Sequence, residues 1–114
     1  MLCRKRSLHR LLLEAGAILC LSAATAMAGD PSTARQAELR NLVVQDCGSC
    51  HGMTLKGGLG SPLRPGDLEY LETPALALIV LDGIPGTPMP PWRGLLSVGD
   101  AHWIARALKN GEIE

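Results

Sequence analysis

The residues of this chain best suited to chemistry are two cysteines and a histidine in the run Cys47-Gly48-Ser49-Cys50-His51. Two thiols separated by two residues can each form a thioether with one vinyl group of a haem, and a histidine directly after them can ligate the iron. The spacing therefore predicts one covalently bound haem c, attached through Cys47 and Cys50, with His51 as the proximal axial ligand.

Three other interpretations of the two cysteines are a surface disulfide, a thioredoxin-like redox pair and half of a zinc site. A thioredoxin-like pair requires a βαβ context, which the sequence lacks. A zinc site requires a second ligand pair, and the only other histidines are His9 and His102. The other cysteines, Cys3 and Cys20, lie in the N-terminal segment, so we expect both motif thiols to bind haem and no disulfide to form.

A methionine between prolines offers a second iron ligand. Met89 lies in the run Gly86-Thr87-Pro88-Met89-Pro90-Pro91-Trp92, far enough from His51 to approach the opposite haem face. Prolines fix φ and remove backbone donors, so this loop should be stiff. Met53 is too close to His51 in sequence to reach across the ring, and we predict Met89 as the distal ligand, a packed core methionine being the alternative. With both axial positions filled, the iron has no open site, which favours an electron carrier over an enzyme.

Further residues are predicted around the haem. A proximal histidine needs an acceptor for its other ring N–H, and the carbonyl of Pro62 is the candidate. Trp92 could donate its indole N–H to a haem propionate or simply pack. Lys56 and Arg64 could balance propionate charge, although solvated surface is the ordinary interpretation of such residues.

The N-terminus predicts a secretory signal peptide over residues 1–28. A basic start is followed by an apolar stretch from Ala15 and the small-x-small site Ala26-Met27-Ala28. The apolar stretch is shorter than the roughly 20 residues needed to span a bilayer, so we expect cleavage before Gly29, a periplasmic location and no stable membrane anchor.

The predicted mature chain, residues 29–114, is one small monohaem domain. It contains Tyr70, Trp92, Trp103 and no phenylalanine, a poor aromatic supply for a core, so haem should act as its structural staple. Removing the four basic residues and the one acidic residue of the signal segment leaves seven basic and ten acidic residues, a net charge of −3. That balance argues against a nucleic-acid partner and favours a partner with a basic docking patch.

Capping and breaker signals predict an all-α fold of three to four helices without a convincing strand. The first helix should begin after a Thr33 cap, the third after a Thr73 cap and the last after a Ser97 cap. The helix from Ala75 to Leu81 is apolar all round and should be buried. The predicted helical ranges are 34–46, 67–72, 74–82 and 98–109.

The haem motif, the Pro62 segment, the Met89 loop and the Trp-bearing last helix together resemble class I c-type cytochromes across the mature chain. The resemblance implies the cytochrome c fold, in which the first and last helices cross beside the haem. It would bring Leu39 and Val43 near Trp103 and Leu108. The chain departs from the class pattern at Ser61, where members often carry glycine.

A narrower resemblance is to the NirC family, small periplasmic monohaem cytochromes encoded with cytochrome cd1 nitrite reductase in denitrifiers. It rests on residues 45–52, on Gly57-Gly58-Leu59-Gly60 and on the Met89 loop. It implies an electron carrier that donates to cytochrome cd1 nitrite reductase. We expect this carrier to be a monomer. The alternatives are a factor in haem d1 maturation, a donor to another periplasmic acceptor such as a terminal oxidase, and a haem-based ligand sensor or enzyme with a labile Met89.

Overall fold

The computed structural model describes residues 29–113. The predicted signal peptide and Glu114 lie outside the described residues. Across the described part of the chain every regular element is helical, which confirms the all-α prediction. These elements are α1 (Thr33–Leu42), a π-helical turn (Val43–Cys47), α2 (Gly48–His51), α3 (Pro65–Leu68), α4 (Thr73–Asp82) and α5 (Val98–Asn110).

The cap of α1 is Ser32, one residue before the predicted Thr33. The Ser32 hydroxyl accepts the backbone N–H of Arg35 at 3.2 Å, while Thr33 is already helical. The side chain of Gln36 donates to the Pro31 carbonyl at 2.9 Å. Ser32 keeps a non-helical backbone with ψ near 156°, the geometry that lets a hydroxyl reach the first free N–H groups.

A π-helical turn joins α1 to α2 and carries the chain directly into the haem motif. The sequence predicted one α-helix to Asp46, whereas the structure widens the helix from Val43 to Cys47. Such wide turns occur mostly as single insertions in helices, frequently at functional sites. Leu39 and Val43 are fully buried on this helical run.

The short helix α3 begins at Pro65, two residues before the predicted start. Proline suits the first helical turn because its missing N–H would be unpaired there anyway. The carboxylate of Asp67 then pairs with the guanidinium of Arg64, with Arg64 Nε donating at 2.7 Å.

The helix α4 is less buried than its sequence suggests. Glu72, not Thr73, occupies the cap position, and Gly83 ends the helix with a φ of 66°. The side chains facing the interior are buried, but Leu78 is 53% exposed. The helix therefore has an outer face, and the prediction that Ala75 to Leu81 is buried is wrong at Ala75 and Leu78.

The last helix, α5, begins where its sequence predicts and ends at Asn110, one residue after the predicted end. The Ser97 hydroxyl accepts the N–H of Asp100, and the Asp100 carboxylate accepts the N–H of Ser97, both at 3.0 Å. Gly111 ends the helix in the left-handed conformation. Asp100 also accepts Arg35 Nη2 at 3.0 Å, which ties α1 to the start of α5.

The core lies where α1, α4 and α5 meet. Leu39, Val43, Trp103 and Leu108 belong to one buried cluster, so the first and last helices pack as the resemblance implied. The Arg40 guanidinium lies 5.0 Å from the centre of the Trp103 ring. In residues 29–113 no helix is long and apolar enough to cross a membrane.

Candidate haem site

A largely apolar cleft of about 540 Å³ runs between the haem motif, α4, α5 and the loop that precedes α5. It brings together five of the eight residues that the sequence predicts around the haem. Pro62 does not line the cleft, but its neighbour Ser61 does. The five are Cys47, Cys50, His51, Met89 and Trp92.

The imidazole of His51 is oriented by a backbone carbonyl. Its Nδ1 lies 2.6 Å from the carbonyl oxygen of Ser61. Because a carbonyl can only accept, Nδ1 is the nitrogen that donates, and in the neutral imidazole the lone pair of Nε2 is then free for a metal. The prediction that the Pro62 carbonyl is the acceptor is therefore wrong, and the carbonyl of the preceding residue, Ser61, accepts instead.

The path of the loop after the motif explains why Ser61 supplies this carbonyl. Gly60 donates its N–H to the Cys50 carbonyl at 2.7 Å, and Gly57 donates to the His51 carbonyl at 2.8 Å. A Cβ on Gly60 would lie only 2.7 Å from His51 Nδ1. The backbone at Gly60 thus lies directly against the ring, and the next carbonyl along the chain meets Nδ1.

The two motif thiols have different surroundings. Cys50 is exposed and Cys47 is half-buried, and the two are not joined in a disulfide. Burial, together with the nearby charge of Asp46, raises the pKa of the Cys47 thiol to about 11. The Cys47 side chain packs against the core.

Met89 enters the cleft from the loop between α4 and α5. It is half-buried and lines the same cleft as His51. Met53, the other methionine of the described residues, is 51% exposed and does not line the cleft. A methyl group on Gly48 would lie 3.4 Å from the sulfur of Met53, so Met53 packs behind the motif.

Trp92 lines the cleft and packs against the core. Its backbone N–H donates to the Leu81 carbonyl at 3.0 Å, which fixes where the loop rejoins the body of the protein. Lys56 and Arg64 line a second cavity, of about 470 Å³. The structure therefore does not place these two cations in the cleft, and Arg64 is paired with Asp67.

The chemistry of this donor set fits a haem. An imidazole nitrogen and a thioether sulfur are the ligand pair of many cytochromes c, and the two thiols match the two vinyl groups. The mostly apolar walls suit a large apolar plate. Sequence reasoning missed the Ser61 carbonyl and the polar contacts that hold the Met89 loop, of which Asp82 with Arg93 is one pair.

The helical fold and this cleft define a c-type cytochrome, and comparisons with known proteins agree. The family model described as cytochrome C oxidase, cbb3-type, subunit III matches residues 34–106. Cytochrome c55X of Paracoccus denitrificans is 53% identical over 97 residues, covering 85% of this chain and 94% of that protein. Cytochrome c55X of Pseudomonas aeruginosa is 54% identical over 83 residues, covering 73% and 70%.

The solved structure of the c-type cytochrome NirC is 54% identical and superimposes with a TM-score of 0.71, covering 73% of this chain and 98% of that one. This chain belongs to the c-type cytochrome family, as a small NirC-like member, and its cofactor is covalently bound haem c.

Proposed function

We propose that this c-type cytochrome is a periplasmic one-electron carrier that donates to cytochrome cd1 nitrite reductase. The observation that carries the proposal is the shared cleft of His51 and Met89. When bound there, the haem supplies an iron that changes oxidation state by one electron. With His51 and Met89 as its ligands, that iron would have no position for a substrate, which suits a carrier.

We propose that Cys47 and Cys50 carry the two thioethers and that His51 and Met89 are the axial ligands. The hydrogen bond of His51 supports its role, because Nδ1 donates to the Ser61 carbonyl and the lone pair of Nε2 in the neutral imidazole is then free to bind a metal. The exposure of Met53 and its position outside the cleft support Met89 over Met53.

Attachment is tested by the mass of the denatured protein. The haem should stay on the parent chain under denaturing conditions, because thioethers survive unfolding. It should stay on the matched control Ser49→Ala, and it should be lost from the double variant Cys47→Ser, Cys50→Ser. Haem that leaves the parent chain on denaturation would contradict the thioether assignment.

We further propose that residues 1–28 are removed on export. The small-x-small run before Gly29 supports cleavage there. N-terminal sequencing of the periplasmic protein should read from Gly29, and a start well away from that residue would contradict the proposed domain boundary.

The likeness to the c-type cytochrome NirC supports the choice of acceptor, because resemblance to that family implies delivery to nitrite reductase. The net charge of −3 on residues 29–114 also suits a basic docking patch on the partner.

Stopped-flow mixing tests the acceptor. Reduced holoprotein mixed with oxidised, haem-d1-loaded nitrite reductase should be oxidised quickly and saturably, and the rate should fall as salt is added. Slow or absent transfer from a redox-active protein would contradict the proposal and point instead to haem d1 maturation or a different acceptor.

A further inference from the structure

Met89 sits in a stretch of chain with almost no hydrogen-bond donors. Its neighbours Pro88, Pro90 and Pro91 have no N–H, so the amide of Met89 is the one backbone donor in residues 88–91. That amide donates to the side-chain oxygen of Thr87 at 3.3 Å. The N–H side of the Met89 backbone is therefore held by one threonine hydroxyl.

The same hydroxyl is fixed in turn by the loop. Thr87 Oγ1 donates to the Ile84 carbonyl at 2.7 Å, and the Thr87 N–H donates to the same carbonyl at 3.1 Å. The Ile84 N–H donates back to the Met89 carbonyl at 3.2 Å. Met89 is thus held at its N–H by Thr87 and at its carbonyl by Ile84.

Contacts at the base of the loop are independent of Thr87. The Arg93 guanidinium bonds to both carboxylate oxygens of Asp82, with Nη2 donating to Oδ2 at 3.1 Å. A Cβ on Gly83 would lie 2.6 Å from the Met89 carbonyl oxygen, so the two segments are in close contact there. Removing the Thr87 hydroxyl should loosen the tip of the loop while its base stays attached.

We propose that Thr87 is a positioning residue for Met89. Its hydroxyl holds the methionine backbone in the conformation from which the sulfur reaches the iron, and this rests on the ligation by Met89 set out under Proposed function. A thioether is a weak ligand for iron. The fraction of molecules in which the Met89 sulfur is bound is therefore higher when the loop gains little conformational freedom on release of the sulfur. Thr87 itself does not contact the iron in this role.

The test compares holoprotein variants that differ in one hydroxyl. Thr87→Val keeps the size and the branched β-carbon but loses both side-chain hydrogen bonds, and Thr87→Ser keeps the hydroxyl. Added imidazole competes with the methionine for the ferric iron, so its rate of binding reports how often the sulfur is released. The sulfur-to-iron charge-transfer absorption is lost when imidazole replaces the methionine, so it provides a second measure of the same replacement.

Thr87→Val should bind imidazole about tenfold faster than the parent, the equivalent of about 1.4 kcal/mol. Thr87→Ser should bind at close to the parent rate. The thermal midpoint of the holoprotein should change little in either variant, because the base of the loop is intact. Equal imidazole rates in Thr87→Val and the parent would overturn the proposal, and so would an equal acceleration in Thr87→Ser.

Two further variants keep the outcome interpretable. Thr87→Ala removes the hydroxyl without a new methyl group and must show the same acceleration of imidazole binding. It therefore tests the proposal even if Thr87→Val folds poorly. Met89→Ala should lack the charge-transfer absorption and bind imidazole fastest. If Met89→Ala matches the parent, the ligation itself fails. If Met89→Ala differs as expected while the Thr87 variants match the parent, only the role of Thr87 fails.

Discussion

The orientation of the His51 imidazole depends on the close approach of Gly60. The Gly60 backbone lies so near His51 that a Cβ there would be 2.7 Å from Nδ1. Gly60→Ala must push the ring or the loop aside, and overpacking of this kind costs about 1–3 kcal/mol. We expect a lower thermal midpoint for the holoprotein and a disturbed hydrogen bond from His51 to Ser61.

Gly94→Ala is the matched control for that variant. A Cβ on Gly94 would meet nothing within 4 Å, so its midpoint should stay close to that of the parent. Calorimetry of the two variants measures the difference. Equal midpoints for Gly60→Ala and Gly94→Ala would show that the close contact at His51 does not constrain the site.

At the scale of single residues, the structure brings the cysteines, His51 and Met89, which the sequence singles out by type and spacing, into one cleft. Their roles at the iron stay predictions. The acceptor for His51 is a backbone carbonyl, which every residue has. Only the path of the loop decides between Ser61 and Pro62, and the sequence alone does not fix that path.

Among the helical elements, α5 has the clearest capping signal, the Ser97 hydroxyl paired with Asp100. We expect this cap to stabilise the fold. Ser97→Ala removes the acceptor for the Asp100 N–H and should cost about 1 kcal/mol. For a domain of this size that corresponds to a fall of roughly 4–8 °C in the thermal midpoint. Ser97→Thr keeps a capping hydroxyl and should remain near the parent. A midpoint unchanged in Ser97→Ala would contradict a stabilising cap.

The loop that carries Met89 should respond to acid through the ion pair at its base. The Arg93 guanidinium holds the pKa of Asp82 below its usual value. Since the folded-state pKa is the lower one, the pair stabilises the fold above the unfolded pKa and loses that effect as the pH falls through the folded pKa.

The thermal midpoints of parent and Asp82→Asn should therefore differ near neutral pH and converge below about pH 4. The difference should be small, because both side chains are about half exposed and solvent screens the pair. Arg93→Gln removes the other partner and should show the same convergence. A difference between parent and Asp82→Asn that persists at low pH would contradict the assignment to this ion pair.

The start of a helix is predictable where the sequence offers a single capping residue. Ser97 is such a residue, and the cap lies there. At the start of α1 two capable residues adjoin, Ser32 and Thr33, and the sequence does not decide between them. The π-helical turn before the haem motif has no distinctive composition, and the exposure of Leu78 depends on tertiary packing rather than on the apolar run itself.

For the molecule as a whole, the hydrophobic core and the haem cleft share side chains. Five buried core side chains also line the cleft, so much of the apolar interior faces the space that the haem would fill. These are Leu68, Leu76, Val80, Ile104 and Leu108. Small domains bury too little surface to be stable without such a staple.

Removal of the haem should therefore leave the chain largely unfolded. The double variant Cys47→Ser, Cys50→Ser, prepared without haem, should show little cooperative thermal unfolding by circular dichroism, whereas the holoprotein should unfold in one sharp transition. A cooperative transition in the haem-free chain would mean that α1, α4 and α5 form a sufficient core by themselves.

The most direct test of the central claim, that the iron is held between His51 and Met89, is the NMR spectrum of the reduced holoprotein labelled with ¹³C at the methionine methyl groups. A methyl bound to the iron lies over the haem plane, where the ring current shifts its resonance far upfield. One such resonance should be present in the parent and in Met53→Leu and absent from Met89→Leu. A spectrum without it, or one in which it disappears with Met53, would contradict ligation of the iron by Met89.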